Sequence, residues 1–201
     1  MSIELAVFLG NPGPKYAYTR HNAAWLLADT LPGAFGTELY FQTKFKGRYA
    51  ETGGRKFLLP ETFMNDSGMS VQEAAAFYKI PANAIIVAHD EIELPLGTVS
   101  LKYGGGLGGH NGLRSIKACI STADFWRLRI GVGRPGDREP GKGGREGEHG
   151  DIVGWVLSSF SEAETPVLEQ SLNAAAELLG KVFDNEPESL LKEYAKYKVD
   201  Y

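Results

Sequence analysis

Three polar clusters and one further segment in this 201-residue chain have the residue types that chemistry needs. Asn11, Tyr16, Arg20, His21 and Asn22 crowd the stretch that follows an apolar run, Ile3 to Leu9. His89, Asp90 and Glu91 follow a second apolar run, Ala84 to Ala88. His110 and Asn111 close a glycine tract, and Phe63-Met64-Asn65 stand ahead of a helix. A histidine oriented by a carboxylate, with amides nearby, suits a general base that activates water while amide donors hold a carbonyl or oxyanion. His21 is the residue expected to carry that step. Gly-x-Ser-x-Gly is absent, so no nucleophile elbow competes with it. His-Glu-x-x-His is absent too, and the histidines at 21, 89, 110 and 149 lack a compact zinc spacing. Plainer readings stand beside each residue. Asn11 in Asn-Pro-Gly is a turn former, Asn65 and Asn111 have the chemistry of helix caps, and Asp90 could pair with a surface arginine. Their recurrence at strand and helix ends favours a common site.

The glycine tract has two readings. Gly104-x-Gly106-x-x-Gly109 satisfies the dinucleotide fingerprint between a strand and a helix, which makes a nucleotide-binding protein the alternative function. The ribose-binding acid expected about 20 residues later is missing, and that region holds Arg127 and Arg129 instead. A close-approach loop that brings a phosphate or a large ligand to the backbone fits equally well, with Lys102, Arg114, Lys117, Arg127 and Arg129 to meet the charge.

These residues need strands to hold them. Ile3–Leu9 and Ala84–Ala88 have the continuous apolar character of buried strands, and Thr98–Tyr103 and Phe125–Val132 supply two more. Glu38–Gln42, Arg48–Thr52 and Lys56–Leu59 are three short strands, with Gly53-Gly54 a hairpin turn. Helices are expected over Ala23–Leu31 with Asn22 as a cap, from Ser67–Val71 onward with Ser70 and Glu73 as a capping box, and after Asn111. A short apolar element at Ile152–Leu157, a long amphipathic helix through Leu168, Leu172, Ala175, Leu179 and Val182, and a helix over Glu188–Lys196 complete the chain. The alternation predicts one α/β domain over residues 1–201, three layers deep, with a mixed twisted β-sheet flanked by helices. Residues 161–201 form its C-terminal helices, and the Gly- and charge-rich 134–151 is a mobile loop.

Bulk properties narrow the setting. No apolar stretch reaches the ~20 residues of a membrane span, and the N-terminus enters a strand without the features of a signal peptide. One cysteine, Cys119, fits a reducing cytoplasm, and the modest size suits a monomer. The net charge of −4 hides a gradient: residues 99–145 carry nine basic and three acidic side chains, residues 146–201 four and twelve. One local anion-binding face is therefore expected on an acidic protein.

Five segments together resemble bacterial-type peptidyl-tRNA hydrolase. They are Leu9-Gly-Asn-Pro-Gly with Tyr16 and Thr19-Arg-His-Asn; Thr62-Phe-Met-Asn-x-Ser-Gly; Val87-Ala-His-Asp-Glu with Leu94-Pro-x-Gly; the tract Gly104 to Leu113; and Arg127-Leu-Arg-Ile-Gly-Val-Gly-Arg-Pro-Gly. The resemblance implies hydrolysis of the ester between a peptide, or an N-blocked aminoacyl group, and the 3′-terminal ribose of tRNA, without metal or cofactor. It implies that His21 is the general base and that Asp90 orients it. It further implies that Asn11 helps distinguish blocked from free aminoacyl-tRNA, that Tyr16, Phe63, Asn65 and Asn111 contact substrate, that Met64 and His110 line the same crevice, and that Lys102 and Arg129 hold tRNA phosphates. Two features depart from the family: Leu107 replaces a more polar residue, and the 134–151 segment is longer and richer in glycine.

Overall fold

A computed structural model describes residues 2–136 and 151–200. Of the expected 134–151 loop, residues 137–150 lie outside the described residues. The strands are β1 (Leu5–Phe8), β2 (Tyr40–Gln42), β3 (Gly47–Thr52), β4 (Arg55–Pro60), β5 (Ile85–Glu91), β6 (Thr98–Tyr103), β7 (Trp126–Gly131) and β8 (Tyr197–Lys198). They form one sheet in the order β2-β3-β4-β1-β5-β7-β6-β8. The inner strands β4, β1, β5 and β7 run parallel, and both flanks are antiparallel. The helices are α1 (Ala23–Ala28), α2 (Leu31–Phe35), α3 (Ser67–Tyr78), α4 (Asn111–Ile120), α5 (Ile152–Val156), α6 (Thr165–Asp184) and α7 (Pro187–Leu190).

Strand alternation explains the layers. Ala6 and Phe8 of β1 with Ile86 and Ala88 of β5 pack toward α1 and α6, where Leu27, Leu172, Ala175 and Leu179 meet them. Leu5, Val7, Ile85 and Val87 face α3 and α4, against Val71, Ala74, Leu113 and Ile116. Both faces of the parallel strands are thus covered, which is why β1 and β5 read as unbroken apolar runs. The mixed sheet between helical layers is the expected architecture.

Several boundaries differ from expectation. The helix at Ala23 stops at Ala28, and α2 restarts at Leu31 with Pro32 in its first turn, where a missing N–H costs nothing. No capping box forms: buried Ser70 donates to the Phe45 carbonyl at 2.5 Å, and exposed Glu73 pairs with Lys46. Asn22 does not cap α1 with its side chain. The last helix ends at Leu190. Beyond it, Ala195 O accepts from Ser100 Oγ and Tyr194 O from Leu101 N, and β8 then pairs with β6. The outer edge of β6 needed partners, and the C-terminal chain supplies them.

Candidate active site

β5 extends through Glu91, so His89 and Asp90 are strand residues, paired in register with Arg129 and Ile130 of β7. Alternation carries Asp90 to the α1 face and His89 to the α4 face. His21 stands in a single 3-10 turn, Arg20–Asn22, directly ahead of α1. That turn sets its Nδ1 against both oxygens of Asp90, at 2.9 and 3.0 Å. His110 reaches the same carboxylate from the start of α4, Nε2 to Oδ1 at 3.0 Å. The rings of His21 and His110 lie 5.0 Å apart.

The hydrogen-bond network assigns the tautomers. His110 Nδ1 accepts the Leu113 N–H at 3.4 Å, so its proton sits on Nε2 and points at Asp90. A carboxylate only accepts, so His21 also presents its Nδ1–H to Asp90 and keeps a lone pair on Nε2. His21 Nε2 has no protein partner among the described residues, and its ring lines a cleft enclosing about 120 Å³. Asp90, His110, Asn111, Ile92 and Leu107 line the same cleft, with Ile152, Val153 and Val156 of α5 forming an apolar wall. His21, Asp90 and His110 are also residue types that ligate metals, and their donor atoms lie close together. With ring protons already directed at Asp90, the set fits a hydrogen-bonded carboxylate better than a metal centre.

Electrostatics follow from this arrangement. Burial works to lower the His21 pKa, but the Asp90 charge and hydrogen bond outweigh it and hold the imidazole above its ordinary value. Burial would raise Asp90, yet His110 and His21 together hold it far below the usual carboxylate range, so it is ionised at any working pH. His89, which the sequence grouped with Asp90 but gave no role in the site, is almost fully enclosed. It donates Nδ1–H to the Asp90 carbonyl at 2.6 Å, its ring meets His110, and burial, the largest influence, lowers its pKa and keeps it neutral. Its position at the end of an apolar strand was the available signal.

Asn11 is nearly buried. Its backbone is clamped by Asn22, N to Oδ1 at 3.0 Å and Nδ2 to O at 3.0 Å, and its own Oδ1 accepts the Met64 N–H at 2.8 Å. Asn22 is therefore a brace for Asn11, a role the sequence did not suggest. Met64 is buried in the α3–α4 core, whereas Phe63 and Asn65 are exposed at the head of α3. Tyr16 is half-buried in the 3-10 turn Pro14–Tyr16, with Lys15 over its ring. These four residues are not among those lining the cleft beside His21.

Lys102 and Arg129 sit on adjacent strands, but Arg129 is already paired with Glu91 at 3.0 Å and near Ser100 Oγ. Burial and the neighbouring Arg127 and Arg129 charges lower the Lys102 pKa despite Glu91. Arg127, buried beside them, donates to the carbonyls of Gly104 and Gly106. Gly104, Gly105, Gly108 and Gly109 have positive φ, which side chains rarely adopt and which shapes the loop that ends at His110. This loop lies between β6 and a helix that leads to β7, but β6 and β7 are antiparallel, so it is not the parallel βαβ turn of a dinucleotide site. The nucleotide-binding alternative is set aside on that topology.

The sequence profile of the family described as Peptidyl-tRNA hydrolase matches residues 5–201. Among curated relatives, the peptidyl-tRNA hydrolase of Treponema pallidum (strain Nichols) is 47% identical over 186 residues, 89% of this chain and 86% of that protein. That of Cupriavidus metallidurans (strain CH34) is 44% identical over 200 residues, covering 95% and 97%. Among solved structures, a peptidyl-tRNA hydrolase complex with N-propanol superposes with a TM-score of 0.84 at 36% identity, covering 98% of this chain and 97% of that one. The Acinetobacter baumannii peptidyl-tRNA hydrolase superposes at 0.83 and 36%, covering 98% and 96%. A mixed sheet that delivers a histidine and its carboxylate to one cleft, and a sequence match running almost from end to end, agree: this chain belongs to the peptidyl-tRNA hydrolase family.

Proposed function

We propose that the protein hydrolyses the ester joining a peptide or N-blocked aminoacyl group to the 3′-terminal ribose of tRNA, and so returns tRNA from prematurely released peptidyl-tRNA. The observation that carries the mechanism is the His21–Asp90 pair, which leaves Nε2 as a free lone pair at the cleft. Nε2 takes a proton from water as the water attacks the ester carbonyl. The imidazolium formed is stabilised by ionised Asp90 and then protonates the leaving ribose oxygen. An ester has a good leaving group, so an activated water suffices without a covalent intermediate.

Asn11 is proposed to select for blocked substrates. Its Oδ1 is committed to the Met64 N–H, so only Nδ2, a donor, is left for the substrate. Nδ2 can bond an acyl carbonyl but offers nothing to a free ammonium, and a mispaired buried polar group costs about 1–3 kcal/mol. Asn111 and His110 contact substrate at the cleft wall, Tyr16, Phe63 and Asn65 contact it further out, and Met64 holds the floor behind Asn11. Lys102, with Arg129, takes up tRNA phosphates. The reading needs no cofactor and carries with it a monomer working in the cytoplasm beside translation.

The deciding experiment measures hydrolysis of N-acetyl-aminoacyl-tRNA and of the free aminoacyl-tRNA. Wild type should cleave the first and spare the second, and His21→Ala should lose about 10²–10⁴-fold in kcat while still binding tRNA. Near-normal turnover by His21→Ala would remove His21 from the base role.

A further inference from the structure

Arg20 precedes His21 and stands in the same 3-10 turn, yet it faces away from the cleft and is only 3% exposed. Its Nη2 meets both carboxylate oxygens of Glu164, at 3.0 and 2.9 Å, and its Nε donates to Ser158 Oγ at 3.3 Å. The guanidinium lies over the rings of Trp155, 3.9 Å to the centroid, and Phe160, 4.8 Å. Backbone contacts follow the same path: Arg20 N–H donates to the Ser158 carbonyl at 3.0 Å, and Thr19 forms an antiparallel bridge with Ser159. Every partner belongs to the segment from α5 to the start of α6. Trp155, on α5, donates its indole N–H to the Gly133 carbonyl at 2.7 Å, which anchors that segment to the end of β7.

The two sides of the cleft therefore meet at one side chain. Next to Arg20 stands His21, which lines the cleft; on α5, beside Trp155, stand Ile152, Val153 and Val156, which line it opposite. We propose that Arg20 is a positioning residue for the reaction, fixing the His21 turn against α5 so that the base and the apolar wall keep one separation. This rests on the reading of His21 as the base.

Stability alone does not call for a charge here. A buried ion pair is commonly replaceable by apolar side chains at little cost, because desolvation opposes the Coulombic gain. A guanidinium differs in geometry: it is planar, forms forked hydrogen bonds and stacks on rings, so it sets orientation in a way lysine does not. A base displaced by about 1 Å can lose about 100-fold in rate, so orientation at this point reaches the chemistry.

The test uses the full-length protein with N-acetyl-aminoacyl-tRNA, in the variants Arg20→Lys and Glu164→Gln. The expected result is kcat lower by about ten- to 100-fold in Arg20→Lys and less in Glu164→Gln, with KM within about twofold because the phosphate-binding lysine is elsewhere. Thermal melting should show both variants folded at the assay temperature. Arg20→Lys combined with Val156→Ala should give a loss in kcat smaller than the product of the single losses, since both loosen the same wall. Unchanged kcat in folded Arg20→Lys overturns the inference, as does a rise in KM alone, or losses that multiply independently. If Arg20→Lys does not fold, Glu164→Gln with unchanged kcat overturns it in the same way. Failure here is separate from failure of the base: a fully active Arg20→Lys beside an inactive His21→Ala leaves His21 in its role.

Discussion

A general base works best when its pKa lies near the pH at which it operates, and His21 is pushed from two directions. Burial disfavours its charged form, while Asp90 favours it more strongly, and the net effect is upward. In the proposed mechanism the catalytic form is the neutral one, so kcat/KM should rise with pH through a limb above the ordinary histidine value of about 6.5. Replacing Asp90 with Asn keeps the shape and removes the charge, so burial then dominates. The acid limb should move to lower pH while the maximum rate falls, by less than in His21→Ala. A pH–rate profile of Asp90→Asn with its acid limb in place would show that the carboxylate does not set the base. Asn11 offers a second check at this scale. Asn11→Asp turns the group facing the Met64 N–H and the substrate into an acceptor only, and should reduce the preference for blocked over free aminoacyl-tRNA roughly ten- to 100-fold, for about 1–3 kcal/mol of mispairing.

At the scale of elements, α3 and α4 must cross closely for His110 to reach Asp90 and for Asn111 to line the cleft. Gly68 allows that crossing: a β-carbon there would collide with the Ser115 carbonyl oxygen, and its N–H bonds Ser115 Oγ at 2.9 Å. Gly68→Val should therefore destabilise the fold by about 1–3 kcal/mol, the usual cost of overpacking. That corresponds to a melting-temperature fall of about 2–4 °C per kcal/mol for a chain of this size, readable by calorimetry. A variant as stable as wild type would show that the helices separate freely. The sequence marked Thr62-Phe-Met-Asn-x-Ser-Gly as a loop entering a helix, and α3 does begin at Ser67. It misassigned Ser70, because a Ser-x-x-Glu pair has the same letters whether it caps a helix or bonds a neighbouring element, and here Phe45 lies within reach.

Across the whole molecule, charge is arranged against the average. The chain is net −4, yet Lys102, Arg127 and Arg129 sit together on β6 and β7 beside the glycine loop. Arg127 is used to hold loop carbonyls and Arg129 is shared with Glu91, which leaves Lys102 with the freest charge of the three. Lys102→Ala should raise KM for tRNA and reduce the slope of log KM against log salt by about 0.7–0.9, one phosphate contact. Arg129→Ala should change the slope less, because it also frees Glu91 to repel the same phosphates. Equal slopes in wild type and Lys102→Ala would place the phosphate contact elsewhere.

Much of this was written locally. Unbroken apolar runs revealed β1 and β5, because strands covered on both faces have no polar side, and the Gly53-Gly54 hairpin and the α6 stripe were equally plain. Polar residues collected after those runs marked His21, Asp90 and His110 as candidates before any contact was known. What the sequence could not say was who meets whom. Residues 21, 90 and 110 converge only because β1 and β5 are neighbours in the sheet and α4 packs under β5, and strand order is set by long-range packing. Arg20 shows the limit most clearly: in the chain it belongs to the same polar cluster as His21, and only the tertiary structure turns it inward to Glu164 and Trp155. Side-chain type is local information, whereas direction, tautomer and partner are properties of the closed fold.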